Sequence, residues 1–360
     1  MGRAVGAVVV LVVTFVAGFL LGRTSAPETE EASVPTTADE QVSVSVPPGT
    51  EGQPSAPGSS SSLPAIPPPE LDRDLEPVAA VAEAVAPAVV QIETSLGLGS
   101  GFVYDPAGLI LTAAHVVQGG GELVEVRLAD GRLFQGRVLG TNVGTDVAVV
   151  EIDPVDDLPV ASLAVGEDLV VGQLAVAIGS PFGLDQTVTS GIVSAIDRPV
   201  PIANGYVQPM VQTDAAINTG NSGGALADIE GRVIGINDSI RTSSGGNQGI
   251  GFAIPIDIAV DVAEAIVSGE EYRPGYLGVS LADNTSNEPG ALVATVEPGT
   301  AADAAGLEPG DRIVAVNGRA IRGRSELQAA IRSNQPGTEV ELDIARGDDA
   351  VTLTATLGTP

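Results

Sequence analysis

Residues 219–226 read Thr219-Gly220-Asn221-Ser222-Gly223-Gly224-Ala225-Leu226. Glycines stand two residues before the serine and in both positions after it, and the run passes straight into apolar residues. Glycine has no Cβ and follows backbone paths closed to other residues. A turn of this composition suits a serine whose Oγ must project while its own N–H and a neighbouring one point at a developing oxyanion. The plainer alternative is an Asn-Ser-Gly-Gly hairpin turn. The run is not a Gly-x-Ser-x-Gly elbow between strand and helix, the arrangement of α/β-hydrolases. Strand character follows Ser222, so the surrounding fold reads as β structure.

The sequence on both sides agrees. A short helix is expected at 81–85. Short apolar runs broken by Gly, Asp and Asn then recur at 89–92, 101–104, 109–112, 123–128, 134–139, 147–152, 174–178, 187–196, 211–214, 224–226, 233–236 and 251–254. Many short strands with frequent turn residues indicate an all-β barrel or sandwich. Hydrophobic residues make up 44% of the chain but aromatics only 3%, so Val, Ile, Leu and Ala must build the core.

Composition removes several kinds of chemistry. The formal charge of −30 argues against binding nucleic acid, which needs clustered cations. With no cysteine there is no thiol nucleophile, disulfide or thiolate metal site, and with one histidine a zinc site would need carboxylates for its other ligands. That histidine is His115, in Leu111-Thr112-Ala113-Ala114-His115-Val116-Val117. Alone it reads as an ordinary core or surface residue. Asp146 opens the apolar run Asp146-Val147-Ala148-Val149-Val150, where alone it reads as a turn residue. Together with Ser222 the three fall in the order His, Asp, Ser, the order of the two-barrel serine proteases, with separations of 31 (146 − 115) and 76 (222 − 146) residues. Those separations suit a base and its orienting acid in one barrel and a nucleophile in the next.

With these residues the chain resembles the HtrA (Deg) family of trypsin-like serine proteases. Gly99-Ser100-Gly101-Phe102-Val103, the His115 and Asp146 runs, Gly179-Ser180-Pro181-Phe182-Gly183, Thr189-Ser190-Gly191-Ile192-Val193-Ser194, residues 212–226 and Gly249-Ile250-Gly251-Phe252-Ala253-Ile254-Pro255 carry the likeness. The resemblance implies a mainly β, chymotrypsin-like double β-barrel protease domain at 77–270. It implies His115 as general base and then acid, Asp146 as its orienting group, and Ser222 as nucleophile. The N–H groups of Gly220 and Ser222 would form the oxyanion hole, and Ile240 would line a pocket for small aliphatic side chains. No metal or organic cofactor is required. Thr219 stands where many relatives carry proline, and Asp238-Ser239 replaces a commoner small or Thr-containing pair; neither is expected to touch the chemistry. The resemblance also suggests homotrimers.

Residues 275–358 read as a small α+β domain. Strands are expected at 291–296, 339–345 and 350–357, with an Asn317-Gly318 hairpin signal. Ser325-Glu326-Leu327-Gln328 reads as a capping box opening a helix to about Ser333. The segment resembles the PDZ domains fused to HtrA proteases. That implies capture of C-terminal peptides by strand addition between Tyr276-Leu277-Gly278-Val279 and the Ser325 helix.

The N-terminus is different material. Residues 1–3 precede Ala4–Gly22, an uncharged and mostly apolar stretch that would span about 28 Å as a helix. Its length and the proline in Thr24-Ser25-Ala26-Pro27 favour an uncleaved transmembrane signal anchor over a cleaved peptide, with the bulk of the chain outside the cell membrane. Residues 23–76 are rich in Pro, Ser and acidic side chains and read as a disordered tether. The whole is expected to be a membrane-anchored extracytoplasmic endopeptidase cleaving unfolded or misfolded proteins. The alternatives are a non-proteolytic chaperone-like or peptide-binding protein, and a protease dedicated to one membrane signalling substrate.

Overall fold

Alternating apolar residues fold this chain into three β assemblies. The computed structural model describes residues 66–180, 186–202, 207–218, 220–240, 248–284 and 288–360, without the side chains of Ser239 and Ile240. All of these belong to one compact unit, Ala56–Pro360. The expected anchor at 4–22 lies outside the described residues. Among those described, no helix is long and apolar enough to cross a membrane.

Helix α1 (Pro77–Val85) starts with proline at its first position, where the missing N–H costs nothing, and buries Ala80, Val81 and Val85. Strands β1 (Val89–Thr94), β2 (Gly97–Asp105), β3 (Leu109–Ala113), β4 (Leu123–Arg127), β5 (Leu133–Asn142) and β6 (Val147–Glu151) close a barrel in the order β1-β2-β3-β6-β5-β4. Helix α2 (Ala114–Val117) is one turn long and follows β3 directly. Val90, Ile92, Val103, Ile110, Val126, Ala148 and Val150 fill the barrel.

The second assembly comprises β7 (Ser162–Leu163), β8 (Leu174–Gly179), β9 (Thr187–Pro201), β10 (Val207–Thr213), β11 (Ala225–Ala227), β12 (Arg232–Ile240) and β13 (Gly251–Pro255). Its order is β11-β8-β9-β10-β13-β12-β7, and β11 also pairs with β12, which closes a ring. Every strand expected from sequence is present, mostly longer. The short β7 was not anticipated, nor was helix α3 (Ile256–Ser268), whose buried Ile258, Ala259, Val262 and Ala263 follow helical spacing. It ends at Gly269, whose φ of 74° gives a left-handed cap. A core running through both barrels includes Phe102, Leu111, Val149, Ile178, Met210, Ile236 and Ile254.

The tether is shorter than the sequence reading placed it. Residues 66–71 lie on the second barrel: Ser162 Oγ donates to the Ile66 carbonyl at 3.0 Å and Leu71 packs on the shared core. Ile66 and Leu71 bring apolar area, and their proline neighbours lose little chain entropy on docking.

The third assembly contains β14 (Val279–Leu281), β15 (Ala291–Val296), α4 (Ala301–Ala305), β16 (Arg312–Val316), β17 (Arg319–Ala320), α5 (Arg324–Arg332), β18 (Glu339–Arg346) and β19 (Asp349–Thr356). The sheet runs β14-β15-β16-β18-β19, with β17 on β16. Two sequence expectations need correction. The strand begins at Val279 rather than Tyr276, because Tyr276 instead bridges to Gly358 and Gly278 turns the chain with φ 85°. Helix α5 begins before Ser325, after Gly323, and no side chain caps it; Glu326 Oε2 reaches back past the cap to accept the Arg322 N–H at 2.6 Å, so the expected capping box does not form.

Candidate active site

One turn of helix and one tight loop of the first barrel hold the imidazole. The Ala114 N–H donates to the Asp146 carbonyl at 2.8 Å, and the His115 N–H to Asp146 Oδ1 at 2.9 Å. His115 Nδ1 lies 2.6 Å from Asp146 Oδ2. Asp146 thus grips both backbone and ring of His115, and its φ of 56° is one that aspartate tolerates better than most residues. The buried Gln208 of β10 donates to the Thr145 carbonyl at 3.0 Å, tying that loop to the second barrel.

Ser222 sits in the turn before β11. Gly220 has φ 103° and Gly223 has φ 84°. A Cβ on Gly223 would stand 2.1 Å from the Ser100 carbonyl oxygen, so the close approach itself demands glycine. Ser100, fully buried in β2, holds the turn from below. Its N–H donates to the Ser222 carbonyl at 2.9 Å and its Oγ to the Gly220 carbonyl at 2.5 Å, while its own Oγ accepts the Ser180 N–H at 2.8 Å. Thr112 Oγ1 donates to the Ser100 carbonyl at 2.6 Å. From the other side the Gly223 N–H donates to the Asn237 carbonyl at 2.7 Å and the Asn237 N–H to the Gly224 carbonyl at 2.8 Å. Among the described residues, nothing accepts from the N–H groups of Gly220 and Ser222.

His115, Gly220 and Ser222 line one cleft of about 190 Å³, whose other walls include Leu96, Leu98 and Val116. The Ser222 hydroxyl donates to the Asp238 carbonyl at 2.9 Å, and no bond joins it to His115 among the described residues. Asp238 was expected to be remote from the chemistry. Instead its Oδ1 stands 3.8 Å from His115 Nδ1, with its side chain only 10% exposed. Spacing along the chain could not show this, because Asp238 reaches the imidazole only through the folding of β12 beside the Ser222 turn.

The hydrogen bond to Asp146 raises the His115 pKa above the ordinary imidazole value, against a lowering by burial; the charges of Asp146 and Asp238 add to the rise. His115, Asp146 and Asp238 are also the cluster in which a cation could be sought among the described residues. The 2.6 Å between Nδ1 and Oδ2 is a hydrogen-bond distance, too short for two atoms sharing an ion at about 2.1 Å each. Ile240 pairs through its main chain with Gly251. Its side chain, to which a pocket role was assigned, lies outside the described residues.

A larger groove of about 590 Å³ lies along β14 and α5. Tyr276, Leu277, Gly278, Val279, Leu327 and Ile331 line it, together with Asn142, Gly144 and Thr145 from the loop that leads to Asp146.

Two family models match, a trypsin-like peptidase domain over residues 99–236 and a PDZ domain over 275–357. The Synechocystis protein HhoA is 44% identical over 279 residues, covering 72% of this chain and 70% of that protein. The chain belongs to the HtrA family. An HtrA-type protease solved as "AlgW with tripeptide" superposes with a TM-score of 0.61 at 36% identity, covering 79% of this chain and 97% of that one. The "Probable periplasmic serine endoprotease DegP-like" of Halomonas elongata is 45% identical over 275 residues, covering 74% of this chain. This HtrA chain spans only 57% of that relative's length. Within the family frame, Ser100, Gln208, Asn237 and Asp238 are the site residues that sequence reasoning left without a role. For Ser100 a signal was present: it lies between Gly99 and Gly101, and a Cβ on either would collide with neighbouring side chains.

Proposed function

We propose that this chain is a serine endopeptidase in which His115, Asp146 and Ser222 act as the triad. His115 Nε2 takes the Ser222 proton as Oγ attacks the peptide carbonyl, then delivers that proton to the leaving amine. Asp146, bonded to Nδ1, keeps the ring in the tautomer that leaves Nε2 free to accept. The N–H groups of Gly220 and Ser222 receive the oxyanion. The observation that carries the reading is the 2.6 Å pair His115–Asp146 opening on the same cleft as Ser222 and those two N–H groups. The Ser222 hydroxyl, which donates to the Asp238 carbonyl, must redirect its proton to His115 for the reaction.

Its substrates are unfolded or misfolded proteins outside the cytoplasm. The apolar groove beside β14 takes their exposed C-termini as an added strand, and residues 4–22 anchor the protein to the membrane. The DegP-like relatives, named as periplasmic, support the compartment. The test compares the purified full chain with its Ser222→Ala variant on a denatured protein. Loss of cleavage by about 10⁴-fold or more is expected in the variant; equal cleavage by both would refute the proteolytic reading.

A further inference from the structure

Strand β12 pairs with β13 through Asn237 opposite Ala253 and Ser239 opposite Phe252, which leaves Asp238 as the extra residue of a β-bulge. Bulges re-aim a side chain and are frequent beside active sites. This one turns the Asp238 carbonyl to Ser222 Oγ at 2.9 Å and brings its carboxylate to 3.8 Å from His115 Nδ1. Nδ1, the Asp146 carboxylate and the Asp238 carboxylate offer atoms that all lie within 4.8 Å of one another. Asp238 is far from solvent at 10% exposure, so water screens its charge weakly. The bonds joining Asn237 to Gly223 and Gly224 fix the preceding residue to the Ser222 turn, which holds the Asp238 backbone beside the site.

We propose that Asp238 is a positioning residue of this site, its carboxylate completing with Asp146 a two-carboxylate cradle that stabilises the imidazolium formed when His115 takes the Ser222 proton. The proposal rests on the proteolytic reading above. In the acylation step the Ser222 O–H bond breaks as the Oγ–C bond forms, the carbonyl π pair moves to the oxyanion, the proton goes to His115 Nε2, and the Nδ1 proton stays on Nδ1, hydrogen-bonded to Asp146. The ring then carries a full positive charge beside two carboxylates instead of one, and the attraction at 3.8 Å is gained only in the charged state. The two carboxylates repel each other while His115 is neutral, and the imidazolium relieves that repulsion. Among the described residues, the charged groups facing the ring are these two. The residues offered by the β1–β2 hairpin (Thr94, Leu96, Leu98), by α2 (Val116) and by the Ser222 turn carry no charge.

The arrangement sets a trade. A second carboxylate makes His115 a stronger base, and it also keeps the ring protonated, hence inactive as a base, to higher pH. Removing the charge should therefore extend activity toward acid while weakening the base at its plateau. Because the chain has one histidine, the test can be read at a single imidazole. The full chain carrying Ser222→Ala, which cannot digest itself, is labelled with ¹⁵N-histidine and titrated by NMR with Asp238, Asp238→Asn and Asp238→Ser. The titration midpoint is expected to move to lower pH in both variants. In the Ser222 background, kcat/KM on a peptide with valine before the scissile bond is measured from pH 5 to 9. Activity at pH 5.5, relative to each protein's own plateau, is expected to rise about threefold or more in Asp238→Asn. A midpoint that stays put or rises in a variant with an intact thermal transition overturns the proposal. So does a plateau loss as deep as that of Asp146→Asn with an unmoved midpoint, which would leave Asp238 a purely structural role. Should the parent protein cleave nothing at any pH, the proteolytic reading fails, while the NMR midpoint still decides whether Asp238 acts on His115.

Discussion

At the scale of single residues, the site depends on atoms that cannot be moved by a few tenths of an ångström. Asp146 makes three contacts to the segment 114–115, one through its carbonyl and two through its carboxylate. Replacing it by asparagine keeps the shape but offers Nδ1 an amide that favours the wrong tautomer. Asp146→Asn should lower kcat by roughly 10⁴-fold with a smaller change in KM, measured by steady-state peptide hydrolysis. The raised pKa of His115 makes a second expectation. With the neutral ring as the proposed base, activity should be lost as pH falls through that raised value, so the acid limb of kcat/KM should lie above the ordinary imidazole value of about 6.5. Gly223 makes a third. A methyl group there meets the Ser100 carbonyl, in a backbone conformation with φ 84° that alanine resists. Gly223→Ala should cost roughly 2–4 kcal/mol in chemical denaturation and abolish cleavage, because the turn must shift to relieve the clash.

At the scale of elements, helix α3 and the turn before β16 each bury a carboxylate, with opposite outcomes. Burial raises the Asp261 carboxyl on α3 to about 6 despite its bond from Gln335, with Asp257 and Glu264 adding to the rise. A raised carboxylate means that the fold binds the proton more tightly than the unfolded chain. Its contribution is present near pH 4 and is lost as pH rises through about 6. Asp261→Asn should therefore stabilise the protein by about 1 kcal/mol at pH 8 and by almost nothing at pH 4, read as thermal midpoints at both values. Asp311, just before β16, goes the other way. Burial pushes its pKa up, but Arg346 of β18, bonding both oxygens at 2.8 Å, and the Glu308 N–H outweigh that and hold it low. The stability from this carboxylate is present at neutral pH and is lost as pH falls through its depressed value.

At the scale of the molecule, side chains from β17 and from the turn after α5 tie the third β assembly to the second barrel and helix α3. Arg319 forms an ion pair with Asp197 of β9 and donates to the Ile196 carbonyl at 2.7 Å. Gln335 bonds Asp261 on α3. The residues of the third core cluster belong to 277–357 alone, and α5 packs beside β9 and β10, so these polar ties join packed surfaces and not one common core. Arg319→Ala should loosen the attachment without unfolding either part. Hydrogen exchange is expected to quicken at 196–198 and 315–320 while the thermal midpoint moves by less than about 1 kcal/mol equivalent.

Much of this protein could be read along the chain. Apolar runs of three to ten residues marked twelve strands of the two barrels, because alternation is a local consequence of burying one face of a strand. The candidates His115, Asp146 and Ser222 stood out because one histidine and no cysteine left few other chemistries open. Local pattern misled at the edges. It extended the tether to residue 76, since burial of Ile66 and Leu71 depends on a distant barrel surface. It started α5 at Ser325, since the chain found no side-chain cap there. Tertiary structure alone decided the environment of the site. Ser100 lies 122 residues before Ser222 (222 − 100) and Asp238 lies 92 beyond Asp146 (238 − 146), yet the former buttresses the serine turn and the latter charges the imidazole. Closing two barrels against one another brings such separations to bonding distance, and no periodicity within a strand records which residue its neighbour in the other barrel will meet.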